Sequence, residues 1–215
     1  EVTGYPGQPT VDSVEGVVAY SAAPATGSFE CGNPMVNQLF SNIVWGQRGN
    51  FVSIPTDCPQ RDERMGWTGD AQVFAATACV NMDVAAIYTK WIADVADAQR
   101  PEGQFTDVAP FVPIVGFGNA VWGDAGVIVP WTLHLAYGDV RIIEESFERM
   151  ARWVDWLTST TKGLLRPDAG FGDWLSIDAD TPKDLLSTAF FAHSANLVAK
   201  MAARIGRPDD ALRFG

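Results

Sequence analysis

Segments with the apolar spacing of an α-helix follow one another along most of this chain, and the connections between them alternate in length. Seven helices are predicted, beginning near residues 33, 68, 83, 124, 139, 181 and 207. Long connections, at about residues 50–67, 101–123 and 162–181, follow the first, third and fifth helices, and short ones follow the even-numbered helices. In an up-and-down array, all three long connections then lie at the same end. The pattern indicates an all-α fold of helical hairpins, such as an α/α barrel or toroid.

Local signals mark several of the helix ends. Asn33 followed by Pro34 is typical of an N-cap and a first helical position. Asp124 and Asp139 are predicted to cap the fourth and fifth helices, and Pro130 indicates either a kink in the fourth helix or a later start. The fifth helix has the clearest apolar face, made by Ile142, Ile143, Phe147, Met150, Val154 and Leu157.

The first 30 residues differ in composition from the helical part. They are rich in Gly, Pro, Ser and Val, and residues 14–20 have the composition of a short β-strand. We interpret residues 1–30 as a β-containing lead-in or as the end of a preceding β-domain. The helical domain is then expected to occupy residues 31–215.

Overall composition narrows the classes of partner. The chain has 215 residues, of which 47% are hydrophobic, and this suits one domain with a substantial core. A net charge of -11 argues against nucleic acid and against an anionic membrane as partners, since both attract a basic surface. Neutral or cationic ligands are compatible with this charge.

Cysteine usage and the N-terminus bear on localisation. Cys31, Cys58 and Cys79 are odd in number and lack CxxC spacing, so neither a disulfide framework nor a zinc site is indicated. The first residues lack the basic and apolar regions of a signal peptide. A cytoplasmic location is therefore expected, with secretion after removal of a signal peptide as the alternative.

The densest cluster of ionisable residues is the stretch from Asp57 to Asp70, which reads DCPQRDERMGWTGD. Carboxylates close to one another and to an aromatic ring acquire different pKa values through repulsion and desolvation. An acid kept protonated beside an acid kept ionised is the arrangement that glycosidases need. The alternative is an Arg/Asp ion-pair network that only holds a loop in place. The interleaved arginines oppose a divalent cation, so no metal is expected here. No other cofactor is expected either.

Several of the eight tryptophans lie beside acids. Trp67 precedes Asp70, and Trp122 and Trp174 lie near or next to aspartates in long connections. An aromatic ring beside a carboxylate suits sugar binding, because the ring stacks on the sugar and the carboxylate accepts its hydroxyl protons. The other predicted helical tryptophans are interpreted as packing residues: Trp91, Trp131, Trp153 and Trp156.

Four motifs give the chain a resemblance to the bacterial α-L-rhamnosidases of glycoside hydrolase family 78, whose catalytic domain is an (α/α)6 barrel. They are Gly27–Cys31 (GSFEC), Asp57–Asp70, Trp122–Ala125 (WGDA) with Val129–Trp131 (VPW), and Gly170–Leu175 (GFGDWL). The motif at Asp57–Asp70 is highly specific, and the resemblance covers nearly everything from Gly27 onward. It implies that residues 31–215 form the first half of such a barrel.

The resemblance also implies roles for individual residues. Glu63 matches the general acid that protonates the departing glycosidic oxygen of a terminal rhamnose. Residues that match partners of the sugar hydroxyls or walls of the rhamnose subsite are Asp57, Arg61, Asp70, Trp67, Trp122 and Trp174. Asp70 in the first turn of a helix also has a simple electrostatic reason to be there, and Asp57 is compatible with an Asx-turn.

These enzymes invert the anomeric centre, so a second carboxylate must activate water roughly 6.5–9.5 Å from the acid. In the family this base is a glutamate in the later half of the barrel, and no residue of this chain matches it. The seventh helix has barely begun at Gly215, so the remainder of the catalytic domain is expected in the native polypeptide. The isolated fragment is expected to be inactive.

Two other functions remain compatible with the sequence. One is an inverting α/α-barrel glycosidase that removes a different terminal sugar, and the other is a non-catalytic carbohydrate-binding protein. Asp107, Asp124 and Asp178 are weaker candidates for a functional role in loops. His134 and His193 are predicted to be buried or capping residues within helices.

Overall fold

The computed structural model describes residues 2–215 and contains the seven predicted α-helices. Their bounds are α1 Pro34–Asn50, α2 Thr68–Asn81, α3 Ala85–Asp97, α4 Ala125–Tyr137, α5 Arg141–Ser159, α6 Lys183–Arg204 and α7 Pro208–Phe214. A 3-10 turn at Val11–Ser13 and a two-residue hairpin, β1 Phe51–Val52 with β2 Ile54–Pro55, complete the regular structure of these residues. The prediction of an all-α fold is confirmed.

The predicted signals at helix ends act in different ways. The Asn33 side chain accepts a hydrogen bond from the Met35 amide at 3.0 Å, as an N-cap does. Asp139 accepts one from the Arg141 amide at 3.0 Å, but the N-cap of α5 is Val140, so the predicted cap position is wrong by one residue. Asp124 stands at the N-cap position of α4, but its side chain makes no cap hydrogen bond, so that prediction is wrong in its chemistry.

The helices form two rows. In one row α4 packs between α2 and α6. In the other row α3 and α5 both contact α4, α5 also contacts α6, and α7 contacts α6. This alternation of inner and outer helices is an arc of an α/α barrel. The predicted apolar face of α5 lies entirely in the core between the rows.

The strand predicted at residues 14–20 does not form. These residues are extended but pair with no other strand among residues 2–215, and Val14, Val17 and Val18 are exposed. A strand needs a neighbour to satisfy its backbone hydrogen bonds. The lead-in is joined to the helical part outside residues 14–20, by the Ser21 amide, which donates to the Phe51 carbonyl, and by an isolated bridge between Ala25 and Met82. The division of the chain at about residue 30 stays a prediction.

No helix within residues 2–215 has both the length and the apolar character to span a bilayer.

His193 is exposed on α6, which contradicts the prediction of a buried or capping residue, because its side of the helix faces away from the neighbouring helices. His134 is buried near the end of α4 with Nδ1 3.1 Å from the Asp139 carbonyl oxygen, as predicted.

Candidate active site

A cavity of about 140 Å³ lies where the three long connections meet. Eight side chains line it: Asp57, Arg61, Glu63, Trp67, Asp70, Trp122, Phe171 and Trp174. They come from residues 56–67, from the first turn of α2, and from the connections that precede α4 and α6. The structure therefore brings all seven predicted site residues into one cavity and adds Phe171.

Glu63 is the most constrained carboxylate of the cavity. Its Oε1 accepts hydrogen bonds from the Trp67 indole Nε1 at 2.7 Å and from the Met65 amide at 3.1 Å. Its Oε2 lies 3.3 Å from Nη2 of Arg61, whose side chain is 60% exposed. Since the two donors on Oε1 are fixed and the partner of Oε2 is an exposed chain, Oε2 is the oxygen free to meet a ligand.

Arg61 joins two carboxylates. Its Nη2 is 3.6 Å from Asp57 Oδ2 as well as 3.3 Å from Glu63 Oε2. Asp57 has a second oxygen, Oδ1, that is buried and has no hydrogen-bond partner in the chain. The ion-pair network proposed as the alternative at Asp57–Asp70 thus exists, and it leaves one buried oxygen of Asp57 without a hydrogen-bond partner.

Two of these carboxylates and a neighbouring thiol lie close enough together to be considered as metal ligands. Ligand atoms of Asp57, Cys58 and Glu63 lie within 4.8 Å of one another. The Arg61 guanidinium lies between the two carboxylates, and its charge opposes a cation. The pKa of the Cys58 thiol is raised by its hydrogen bond to Asp57 and by burial, which opposes the thiolate form that metals require. The donor set does not fit a divalent metal.

Four aromatic rings form the apolar side of the cavity. Phe171 is central, with its ring centroid 4.7 Å from Trp122, 6.0 Å from Trp174 and 6.1 Å from Trp67. All three contacts are edge-to-face, the geometry that aromatic pairs favour. The carboxylates and the aromatic wall therefore give the cavity one polar and one apolar side.

A second, wider cleft of about 620 Å³ adjoins this cavity, because Asp57, Asp70, Trp122 and Trp174 border both. It runs along α1 and α2. The small cavity is thus continuous with a larger groove in this chain.

Backbone hydrogen bonds hold the start of α2 beneath the cavity. The Thr68 amide and hydroxyl both donate to the Asp107 carbonyl oxygen at 3.0 Å, and the Ala109 amide donates to the Gly66 carbonyl at 2.9 Å. The fully buried Trp91 donates its indole N–H to the Ala109 carbonyl. The connection before α4 therefore fixes the chain on both sides of Trp67.

The remaining candidates lie outside this cavity. Asp107 is buried and accepts a hydrogen bond from the Asn119 side chain, and Asp178 is exposed. Trp153 is fully buried and stacks on Trp156 with ring centroids 5.1 Å apart, as expected for packing residues. Trp131 packs against His134.

Phe171 was not identified from the sequence as a site residue. It lies inside the motif Gly170–Leu175, where the pattern that predicts sugar binding, an aromatic ring next to an acid, is that of Trp174 beside Asp173. A phenylalanine without a polar neighbour carries no such signal. The glycines on both sides of it are the sequence signal that the chain bends sharply around this ring. In the structure both glycines have positive φ.

Asp70 is an exposed carboxylate whose surroundings still disfavour its charge. Partial desolvation raises its pKa, and the negative charges of Asp57 and Glu63 raise it further, against the lowering effect of its own backbone hydrogen bond. A raised pKa in the folded protein means that ionised Asp70 destabilises the fold at neutral pH. The penalty vanishes below the pKa of the unfolded chain, about 3.9.

We therefore expect Asp70→Asn in the full-length protein to raise the melting temperature at pH 7 and to give no increase at pH 3.5. The amide removes a charge that the folded state disfavours, and wild-type Asp70 is itself neutral at the lower pH. The measurement is thermal unfolding of both proteins at the two pH values. Asp62→Asn, which removes an equally negative but fully exposed group, is the matched control. A lower melting temperature at pH 7 would contradict the prediction.

A cavity with paired carboxylates on one side and edge-to-face aromatic rings on the other, at one end of an array of helical hairpins, defines a carbohydrate-active domain of the α/α type. Residues 24–215 match the family described as the bacterial alpha-L-rhamnosidase six-hairpin glycosidase domain. The chain belongs to this family.

Individual relatives of the chain carry the same family name. The chain is 54% identical over 207 residues to an alpha-L-rhamnosidase of Streptomyces avermitilis, covering 96% of this chain and 20% of that protein. A crystal structure of the Streptomyces avermitilis alpha-L-rhamnosidase complexed with L-rhamnose aligns with a TM-score of 0.95 at 51% identity, over 99% of this chain and 21% of that one.

The alpha-L-rhamnosidase from Dictyoglumus thermophilum aligns with a TM-score of 0.93 at 38% identity, over 98% of this chain and 24% of that chain. The chain thus spans about a fifth to a quarter of the length of these relatives. The arc of helices is therefore the arc of an (α/α)6 barrel, as the resemblance implied.

Proposed function

We propose that the full-length protein containing this chain removes terminal non-reducing α-L-rhamnose from rhamnosides with inversion of the anomeric centre. The observation that carries the proposal is the position of Glu63, held by two N–H donors on one oxygen at the edge of a cavity walled by aromatic rings. The family to which the chain belongs gives the substrate class.

Glu63 would act as the general acid. A general acid must present a protonated oxygen to the leaving group at hydrogen-bonding distance. The two donors on Oε1 leave Oε2 to carry the proton, and the 3.3 Å contact from exposed Arg61 can give way to a ligand.

The two sides of the cavity correspond to the two sides of the sugar. In the pyranose form of L-rhamnose, ring carbons C1 to C4 carry hydroxyls and C5 carries the C6 methyl group. Asp57 and Asp70 both line the cavity, and their carboxylates can accept hydroxyl protons. The four rings that line the cavity, Phe171 with the three tryptophans, can cover the apolar ring face and the methyl group.

Inversion requires a second carboxylate that activates water roughly 6.5–9.5 Å from the acid, on the opposite face of the sugar. We assign this base to a residue outside the present chain. Asp57 is unsuited to the role, since it shares Arg61 with Glu63 on the same side of the cavity. The partner that completes the site is then the remainder of the catalytic domain.

The test is hydrolysis of p-nitrophenyl α-L-rhamnopyranoside by the full-length gene product, with the anomer of released rhamnose followed by NMR. We expect turnover and first appearance of the β-anomer. Release of the α-anomer would contradict inversion. Turnover of p-nitrophenyl glycosides of other sugars in place of rhamnose would favour the different-sugar alternative, and binding of rhamnose without turnover would favour a carbohydrate-binding protein.

Phe171 provides a prediction about selectivity. Replacing Phe171 with alanine should lower kcat/KM on the rhamnoside by about tenfold, since a methyl-sized apolar contact changes discrimination by roughly 10–200-fold. The loss should be smaller on the corresponding α-L-mannoside, which has a C6 hydroxyl group in place of a hydrogen. Phe29→Ala, an exposed ring outside the cavity, is the control. Equal losses on both substrates would mean that Phe171 supports the fold and does not contact C6.

A further inference from the structure

Trp122 follows a residue with an unfavourable backbone. Val121 has φ of 73°, in the left-handed region, and is β-branched. For such a residue this conformation is an outlier, because its Cβ approaches the backbone too closely. Surrounding interactions must therefore hold the turn that presents Trp122 to the cavity.

The hydrogen bond that holds this turn comes from Asp124. The Val121 amide donates to Asp124 Oδ2 at 2.9 Å. The other oxygen, Oδ1, accepts from the Ser194 hydroxyl on α6 at 2.6 Å and from the Trp153 indole on α5 at 3.1 Å. Asp124 is almost completely buried, so these three donors account for its contacts.

The three donors fix the carboxylate in space. Burial raises the pKa of Asp124, and its donors together with the Arg166 charge oppose that effect. If this buried carboxylate is replaced by a side chain with fewer acceptor atoms, one or more of its three hydrogen-bond donors is left without a partner. The carboxylate thus ties the turn before α4 to two other helices.

The turn controls the position of the Trp122 ring. The ring is 7% exposed and lies directly over Gly69 of α2, where a Cβ atom would come within 2.9 Å of the indole. It also contacts Phe171 at 4.7 Å and Trp174 at 6.3 Å between centroids. A change of φ at Val121 would rotate the ring away from all three.

We propose that Asp124 is a positioning residue for the sugar subsite: its hydrogen bond to the Val121 amide maintains the left-handed turn that places Trp122 against α2. Asp124 does not line the cavity, and it acts through its hydrogen bond with the Val121 amide. The inference rests on the proposed function for its kinetic consequences, but its structural content does not depend on which sugar binds.

The discriminating pair of substitutions is Asp124→Asn and Val121→Gly in the full-length protein. An asparagine has one acceptor oxygen, and the two donors from Ser194 and Trp153 outnumber the single Val121 amide in competing for it. The turn then loses its hydrogen bond. A glycine at position 121 adopts positive φ without strain and needs no such support.

We expect Asp124→Asn to reduce kcat/KM on the rhamnoside at least tenfold, mainly through KM. The double variant D124N/V121G should recover to within threefold of V121G alone. Val121→Ala combined with D124N should recover less, because alanine still resists positive φ. A double variant as impaired as D124N would overturn the proposal, since a general loss of packing cannot be repaired at position 121.

Two comparisons separate positioning from stability. Ser194→Ala removes a donor to Oδ1 but leaves the Val121 contact, so it should lower the melting temperature while kcat/KM stays within threefold of wild type. Asp97→Asn, an exposed carboxylate on α3, controls for loss of charge. If D124N does not fold, the double variant should fold; failure of both to fold would overturn the proposal.

A crystal structure of the D124N variant provides a readout that needs no substrate. We expect Val121 at negative φ and the Trp122 ring displaced from Gly69. An unchanged turn would overturn the inference even in an active enzyme. If wild type hydrolyses no rhamnoside, the proposed function fails while this structural result still decides the role of Asp124.

Discussion

Glu63→Gln in the full-length gene product is expected to lower kcat on a rhamnoside with a sugar or alkyl leaving group by about 10²–10⁴-fold, the range that a general acid contributes. Glutamine keeps the shape of the side chain, and its carbonyl oxygen can still accept from the Trp67 indole and the Met65 amide. The proton on the second oxygen is what the substitution removes. Folding should be unaffected.

The leaving group distinguishes acid catalysis from a structural role. A 2,4-dinitrophenolate departs without protonation, so the same variant should lose far less activity on the 2,4-dinitrophenyl rhamnoside. Glu102→Gln, at an exposed turn after α3, should behave as wild type on both substrates. Equal losses of the Glu63 variant on both would show that Glu63 supports the Arg61 ion pair and supplies no proton.

The helices could be predicted from the sequence because each buries a continuous stripe at helical spacing. The face of α5 from Ile142 to Leu157 is the clearest example, and every predicted member of it is buried. The strand at residues 14–20 could not be judged in the same way. A strand depends on a partner from elsewhere in the chain, and composition does not reveal whether one exists.

Assembly of the site could be predicted in outline. The alternation of long and short connections placed the long ones together, and the cavity residues do come from those connections and the adjacent first turn of α2. Two details depend on tertiary contacts that no local pattern records. Phe171 becomes the central ring only when two other connections bring Trp67 and Trp122 against it. Asp124 anchors a turn instead of capping a helix because its side chain binds Ser194, which is 70 residues away in the sequence.

Glycine at position 69 is likewise explained by a tertiary contact, the one with the Trp122 ring. Its replacement is expected to have the second large effect on activity. Gly69 lies in the first turn of α2, where alanine would ordinarily favour the helix by about 1 kcal/mol. Here a Cβ atom would lie 2.9 Å from Cε2 and 3.0 Å from Cδ2 of Trp122. The ring cannot retreat easily, because Phe171 and Trp174 pack against it.

We expect Gly69→Ala to lower kcat/KM on the rhamnoside about 100-fold, or ~2.7 kcal/mol, within the typical 1–3 kcal/mol cost of overpacking. Steady-state kinetics and thermal unfolding measure the two consequences. Gly49→Ala in α1, where a Cβ would meet only Pro59 Cγ at 3.9 Å, is the matched control and should be active. If Gly69→Ala raised the melting temperature and left kcat/KM near wild type, the Trp122 ring would be free to move. It could not then be a fixed wall of the sugar subsite, because a wall that yields to one methyl group cannot discriminate between sugars that differ by one oxygen.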